Sequence, residues 1–144
     1  MTKVIYSTVF NHTADQVWGV IRDFNSYPVW VETVTESRIE GGKSGDSVGA
    51  IRDFVEFGAH IRQRLMAHSD VDRFYTYESC EPLGAITYYQ GTGRVTPIVD
   101  GNRAFMEWTI SLECPEAERE NCVNQLKEAM PQWFTSLRAV LEKK

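Results

Sequence analysis

Cysteine is scarce, with three among 144 residues, and Cys80, Cys114 and Cys122 form no CxxC pair. An odd, unpaired set argues against a disulfide framework and lacks the coupled ligands of a structural zinc site. The three read as ordinary, partly buried thiols. Positive charge is also in short supply: 15 Lys and Arg stand against 20 Asp and Glu, a net charge of −5. Gripping a phosphate backbone requires a dense basic surface, so nucleic acid is not an expected partner. Apolar runs last only a few residues, too short for a helix that spans a bilayer. The first residues lack the apolar stretch of a secretory leader, and the expected location is the cytoplasm.

Motifs for metal or cofactor chemistry are missing too. His12, His60 and His68 lack HExxH spacing and fall in different elements. Gly42-Lys43-Ser44 has Ser37 where a phosphate-binding loop needs its first glycine, and no helix follows. There is no GxSxG elbow, and Gly91-Thr92-Gly93 lies inside a strand pattern instead of opening a helix. Neither a metal nor a cofactor is expected.

What the chain does have is rings: four Trp, six Tyr and seven Phe. So many in a chain of one-domain length point to a thick core or a lined cavity. Residues 3–10 read as a strand. Thr13 and Gln16 match a capping box, and Ala14, Val17, Trp18 and Ile21 make one helical stripe that ends near Asp23. Pro28 can open a further short helical turn carrying Trp30. Turn signals then divide residues 33–113 into strands near 33–40, 48–57, 60–69, 73–80, 86–98 and 103–113. Asp100-Gly101 reads as a type I′ hairpin turn. Residues 116–142 form one long helix with Cys122, Leu126, Met130, Trp133, Leu137, Val140 and Leu141 on its inner stripe. Pro131 should kink it, and Lys143 and Lys144 suit the dipole at its end.

The expected fold is α+β: one domain over 1–144, with a seven-stranded curved antiparallel sheet wrapped around a long C-terminal helix. Two short helices lie between strands 1 and 2. Curling a sheet around one helix tends to leave a space between them, a usual place for a small ligand. Alternation assigns faces. Met106, Trp108, Ile110 and Leu112 point inward, as do Ile61, Gln63, Leu65 and Ala67, with Arg62, Arg64 and His68 outward. Tyr75, Tyr77, Tyr89, Gly91, Gly93 and Val95 also face in, and the two glycines leave room for a ligand or for a bulky neighbour. For residues 48–57, alternation leaves two faces open: Ala50, Arg52 and Phe54, or Ile51, Asp53 and Val55.

The order of elements, with Ala14-Asp15-Gln16-Val17-Trp18, Tyr27-Pro28-Val29-Trp30, Gly45-Asp46-Ser47-Val48-Gly49-Ala50-Ile51-Arg52, Tyr75-Thr76-Tyr77-Glu78, Arg94-Val95-Thr96-Pro97 and Glu107-Trp108, resembles the START-like or SRPBCC superfamily. This is the helix-grip fold of birch-pollen allergens, plant abscisic-acid receptors and polyketide cyclases. The likeness is nearest to the polyketide cyclase/dehydrase-like branch that includes plant lachrymatory factor synthase. It implies Arg52 inside and carries a cavity Arg and Tyr onto Arg52 and Tyr89. The branch's Glu falls at Gln63, which cannot exchange a proton near neutral pH.

An inward Arg52 needs partners. Gln63, Tyr77 and Tyr89 are neutral, so the expected ligand is mostly apolar and brings a carboxylate, enolate or polarised carbonyl to Arg52. Trp30, Trp108, Met130 and Trp133 would form the apolar wall. The competing reading pairs Arg52 with Asp53, Glu56 or Glu78 at the rim. Three functions follow: binding or transport of a small hydrophobic molecule; a cofactor-independent cyclase, dehydratase or isomerase with Arg52 and Tyr89 as catalytic residues; or a protein-contact subunit. Oligomeric state stays open, a homodimer included.

Overall fold

The computed structural model describes residues 1–143; Lys144, expected at the helix end, lies outside them. The strands are β1 (Thr2–Phe10), β2 (Val34–Ile39), β3 (Ile51–Glu56), β4 (Ala59–Ser69), β5 (Phe74–Ser79), β6 (Tyr88–Ile98) and β7 (Arg103–Glu113). They form one curved antiparallel sheet in the order β1-β7-β6-β5-β4-β3-β2. Helices α1 (Ala14–Ile21) and α2 (Tyr27–Trp30) lie between β1 and β2, and α3 (Arg119–Glu142) closes the chain.

Local chemistry explains most boundaries. The Thr13 hydroxyl accepts from Gln16 N–H at 3.1 Å, and Gln16 Oε1 accepts from Thr13 N–H at 2.8 Å, a complete capping box. Pro28 sits in the first turn of α2, where its missing N–H is harmless. β3 begins three residues later than the spacing predicts, because successive turns close from Ser44 to Ala50 and leave Val48 exposed. The long helix is preceded by a 3₁₀ turn over Glu116–Glu118. It then runs as one element through Pro131, whose missing donor falls opposite Lys127 on the exposed side.

The hairpin at Asp100-Gly101 is a different turn from the expected one. Gly101 (φ 85°) and Asn102 (φ 52°) take positive φ, Asp100 does not, and Asn102 N–H donates to Val99 C=O at 3.2 Å. The two-residue turn with positive φ at both positions is Phe57-Gly58, between β3 and β4.

Three face assignments also change. On α3 the buried stripe is Cys122, Leu126, Met130, Phe134, Leu137 and Leu141, so Phe134 replaces Trp133, and Val140 is only half-buried. On β4 a bulge between Leu65 and Ala67 shifts the register, which reverses the faces of Ala67 and His68. His68 therefore lies opposite inward-facing Tyr75 and packs on the Trp18 ring at 5.5 Å, while Ala67 pairs with Thr76.

The core is not evenly filled. The C-terminal half of α3 is pinned to β1: Phe134 meets Tyr6 at 5.1 Å, and Arg138 lies over Phe10 at 4.5 Å. Arg138 also donates to Val9 C=O at 3.2 Å and to the Thr8 hydroxyl at 3.1 Å. Trp108 of β7 fills the space beneath, in contact with Trp30, Tyr75, Tyr77 and Phe134 at centroid distances of 5.7–6.3 Å. The inward glycines of β6 serve this packing. A Cβ on Gly91 would fall 2.3 Å from the Tyr77 ring, and one on Gly93 would fall 2.5 Å from the Trp108 ring. The room they leave is taken by neighbours and not by a ligand.

Candidate functional site

On the other side of the grip, between β3–β4 and the N-terminal half of α3, the space stays open. A cavity of about 200 Å³ lies there. Phe54, Glu56, Ile61 and Gln63 line its sheet side, with Tyr89 from β6. Cys122, Gln125, Leu126, Ala129 and Trp133 line its helix side, and Tyr27, Val31, Val34, Leu83 and Ile86 close the ends. The lining is mostly apolar. A smaller hollow bordered by Glu32, Thr33 and exposed Phe57 adjoins the cavity and shares Val31, Glu56, Ala129 and Trp133 with it.

Arg52 is inside, as the resemblance implies, but one layer behind the cavity wall. It has no exposure at all, so not even the cavity's inner surface reaches it. Its Nε and Nη2 both donate to Gln63 Oε1, at 3.1 and 2.7 Å, and Nη1 donates to Phe24 C=O at 3.3 Å. The guanidinium lies over the rings of Tyr27 at 3.5 Å and Phe24 at 3.9 Å, with Tyr77 at 4.8 Å. Burying such an ion costs on the order of several kcal/mol. Three charge-assisted hydrogen bonds and two close ring faces, the latter worth roughly 0.5–2 kcal/mol each, offset it without a carboxylate. The rim pairing with Asp53, Glu56 or Glu78 does not occur: Asp53 faces outward to Arg38 and His60, and Glu78 pairs with Arg64. The expectation that a ligand's negative charge satisfies Arg52 is also corrected, since the protein's own groups already surround it.

Of the other expected site residues, Gln63, Tyr89 and Trp133 line the cavity. Trp30, Tyr77, Trp108 and Met130 do not, and are at most 1% exposed within the solid part of the core. Tyr77 has a structural partner, since its hydroxyl accepts from Trp108 Nε1 at 3.1 Å. Burial pushes the phenols of Tyr75, Tyr77 and Tyr89 well above the usual tyrosine range, with Arg52 opposing only in part. Tyr89 therefore favours its protonated form.

The sequence reading offers Glu56 only as a rim partner for Arg52, although alternation places it on the inner face: Ala50, Arg52, Phe54 and Glu56 are spaced by two. It brings a carboxylate to the cavity, and one of its oxygens accepts from the Thr33 hydroxyl. Tyr27 belongs to both the cavity wall and the arginine box, a double role that no strand register reveals.

Over residues 1–142 the chain matches a family described as polyketide cyclase / dehydrase and lipid transport. No curated protein matches it. Among solved structures it is similar to a protein of Nitrosospira multiformis, at 26% identity and a TM-score of 0.83, covering 96% of this chain and 94% of that one. It is also similar to XoxI of Bacillus cereus, at 25% identity and a TM-score of 0.86, covering 98% and 96%.

Proposed function

The chain belongs to the polyketide cyclase / dehydrase and lipid transport family, and from that premise we propose that it binds a small, largely apolar molecule in the cavity between β3–β4 and α3. One observation carries this reading: the grip is packed solid around Trp108 yet open by about 200 Å³ beside Gln63 and Leu126. An apolar void this large forfeits packing energy unless something occupies it. A dry cavity of about 150 Å³ holds benzene, so this one suits a single ring with short substituents. Native mass spectrometry of the protein as isolated, with identification of anything released on denaturation, tests for a resident molecule. Calorimetry with para-ethylphenol tests the size, and Ala129→Trp, which fills the cavity from α3, should abolish binding. Equal binding by wild type and Ala129→Trp would place the ligand elsewhere and end the reading.

A second reading, cofactor-independent cyclisation, dehydration or isomerisation of a carbonyl compound, has one observation behind it. Glu56 and Tyr89 line the same cavity, a carboxylate that can accept a proton and a phenol that keeps its own. In that chemistry Arg52 acts through Gln63 and does not touch the substrate. Glu56→Gln should then remove turnover of an identified substrate while its binding persists; turnover surviving in Glu56→Gln rules out this base.

A further inference from the structure

Gln63 has its orientation dictated from behind. Its Oε1 accepts both Arg52 bonds, at 3.1 and 2.7 Å. A flipped amide would set its NH₂ against two guanidinium N–H groups, donor against donor. The NH₂ must therefore face forward, into the cavity that Gln63 lines, and it meets no acceptor among the described residues. The cation also polarises the amide and strengthens that donor. Tyr89 adds a phenolic O–H on the same wall.

The Glu56 end of the cavity has the opposite character. Glu56 is acceptor-only when ionised, and the Thr33 hydroxyl occupies one of its oxygens. Arg52 pairs with Gln63 across the strands, and Glu56 lies four residues further along β3. At about 3.3 Å per residue the two levels are roughly 13 Å apart along the strand. Side chains reaching in from both levels leave a span suited to one ring with a hydrogen bond at each end.

We infer that the cavity selects a neutral ring compound with a carbonyl-type acceptor at one end, bound by the Gln63 amide, and a hydroxyl at the other, bound by Glu56. Arg52 is the positioning residue that turns the amide forward. An aryl carboxylate is disfavoured. The charged residue lining the cavity is Glu56, itself an anion, and a carboxylate would lose its hydration without direct contact to the guanidinium. The inference rests on the proposed cavity binding and adds the polarity of the ligand.

The test is calorimetry on the full chain with four probes: para-hydroxyacetophenone, para-ethylphenol (no carbonyl), acetophenone (no hydroxyl) and para-hydroxybenzoate (an anion). The first should bind at least about fivefold tighter than the second or third, and the anion weakest of all. In Gln63→Glu, which keeps an oxygen for Arg52 but removes the forward donor, the preference for the ketone over para-ethylphenol should collapse. Arg52→Lys should shrink the same ratio, whereas a merely structural role would weaken all four probes alike. A measurement on unaltered protein stands beside these variants: the Gln63 side-chain amide protons should move further downfield on adding the ketone than on adding para-ethylphenol, whose ring perturbs them without accepting a hydrogen bond. Equal affinity of wild type for those two compounds overturns the inference while leaving cavity binding intact. Failure of all four to bind removes the cavity reading and the inference together.

Discussion

One helix faces two halves of the same sheet and meets them differently. Over β1 and β7, α3 presents Phe134, and the sheet answers with Tyr6, Phe10 and Trp108, so ring meets ring and the gap closes. Over β3 and β4, the helix presents Leu126 and Ala129, and the sheet answers with Phe54, Ile61 and Gln63, so the gap stays open. The helix backbone also runs close to β1 and farther from β3 and β4, so its placement adds to the difference in side chains. The arginine box sits at the boundary: its far side is sealed by Phe24 and Tyr77, and its near side holds Gln63 against the cavity. In the proposed reading, stability and ligand recognition fall to different ends of one core.

If that division is real, substitutions in the two halves separate. The largest effect should come from Trp108→Ala, which empties the filled half and removes the donor to Tyr77. A loss of about 3–5 kcal/mol in denaturant unfolding is expected. A loss below about 2 kcal/mol would mean that half does not dominate stability. Next comes Gly93→Ala, whose Cβ would stand 2.5 Å from the Trp108 ring. Overpacking of this kind costs about 1–3 kcal/mol. Ala129→Leu adds more volume, but into empty space, and should change stability by less than about 1 kcal/mol while weakening binding of a ring-sized probe. Similar stability losses for Gly93→Ala and Ala129→Leu would erase the distinction between the halves.

The fold was legible because each element has its own local signal: a capping box at Thr13, alternation along β7 and helical spacing on α3. The site was legible in part. Alternation placed Gln63 and Tyr89 inward, and the resemblance settled the face of Arg52. Neither could say that the Gly91 and Gly93 spaces are filled by Tyr77 and Trp108, because that depends on rings arriving from neighbouring strands. Depth behind a wall is likewise invisible to a two-fold pattern: once Arg52 is set inward, it shares a face with Gln63 and nothing in the spacing tells which lies behind the other. The slip at His68 has a comparable cause. A bulge after Leu65 reverses the faces of β4, and no glycine or proline marks it.

Two tyrosines on one strand sharpen the picture of the filled half. Tyr77→Phe leaves Trp108 Nε1 without its acceptor in a buried site, and should cost about 1–3 kcal/mol at pH 7.

The Tyr75 hydroxyl is buried and has no hydrogen-bond partner among the described residues. Removing it relieves an unmet desolvation, so Tyr75→Phe should leave stability at pH 7 unchanged or raise it by up to about 1 kcal/mol. Its effect belongs to alkaline pH. Burial raises the folded-state phenol above its unfolded value of about 10. Below that value the phenol is protonated in both states and stability does not vary with its titration. Above it, the unfolded chain releases the proton while the folded one keeps it, so the folded state binds more protons and stability falls as pH rises. Tyr77 and Tyr89 are shifted the same way, so the wild type should lose stability steeply from about pH 10 upward. Tyr75→Phe removes one contribution and should make that decline shallower without moving the pH 7 midpoint downward. Denaturant midpoints measured from pH 7 to 11 check both parts. A clear loss at pH 7 would show that the hydroxyl has a partner after all, and an unchanged alkaline slope would show that this phenol is not what resists ionisation in the filled half.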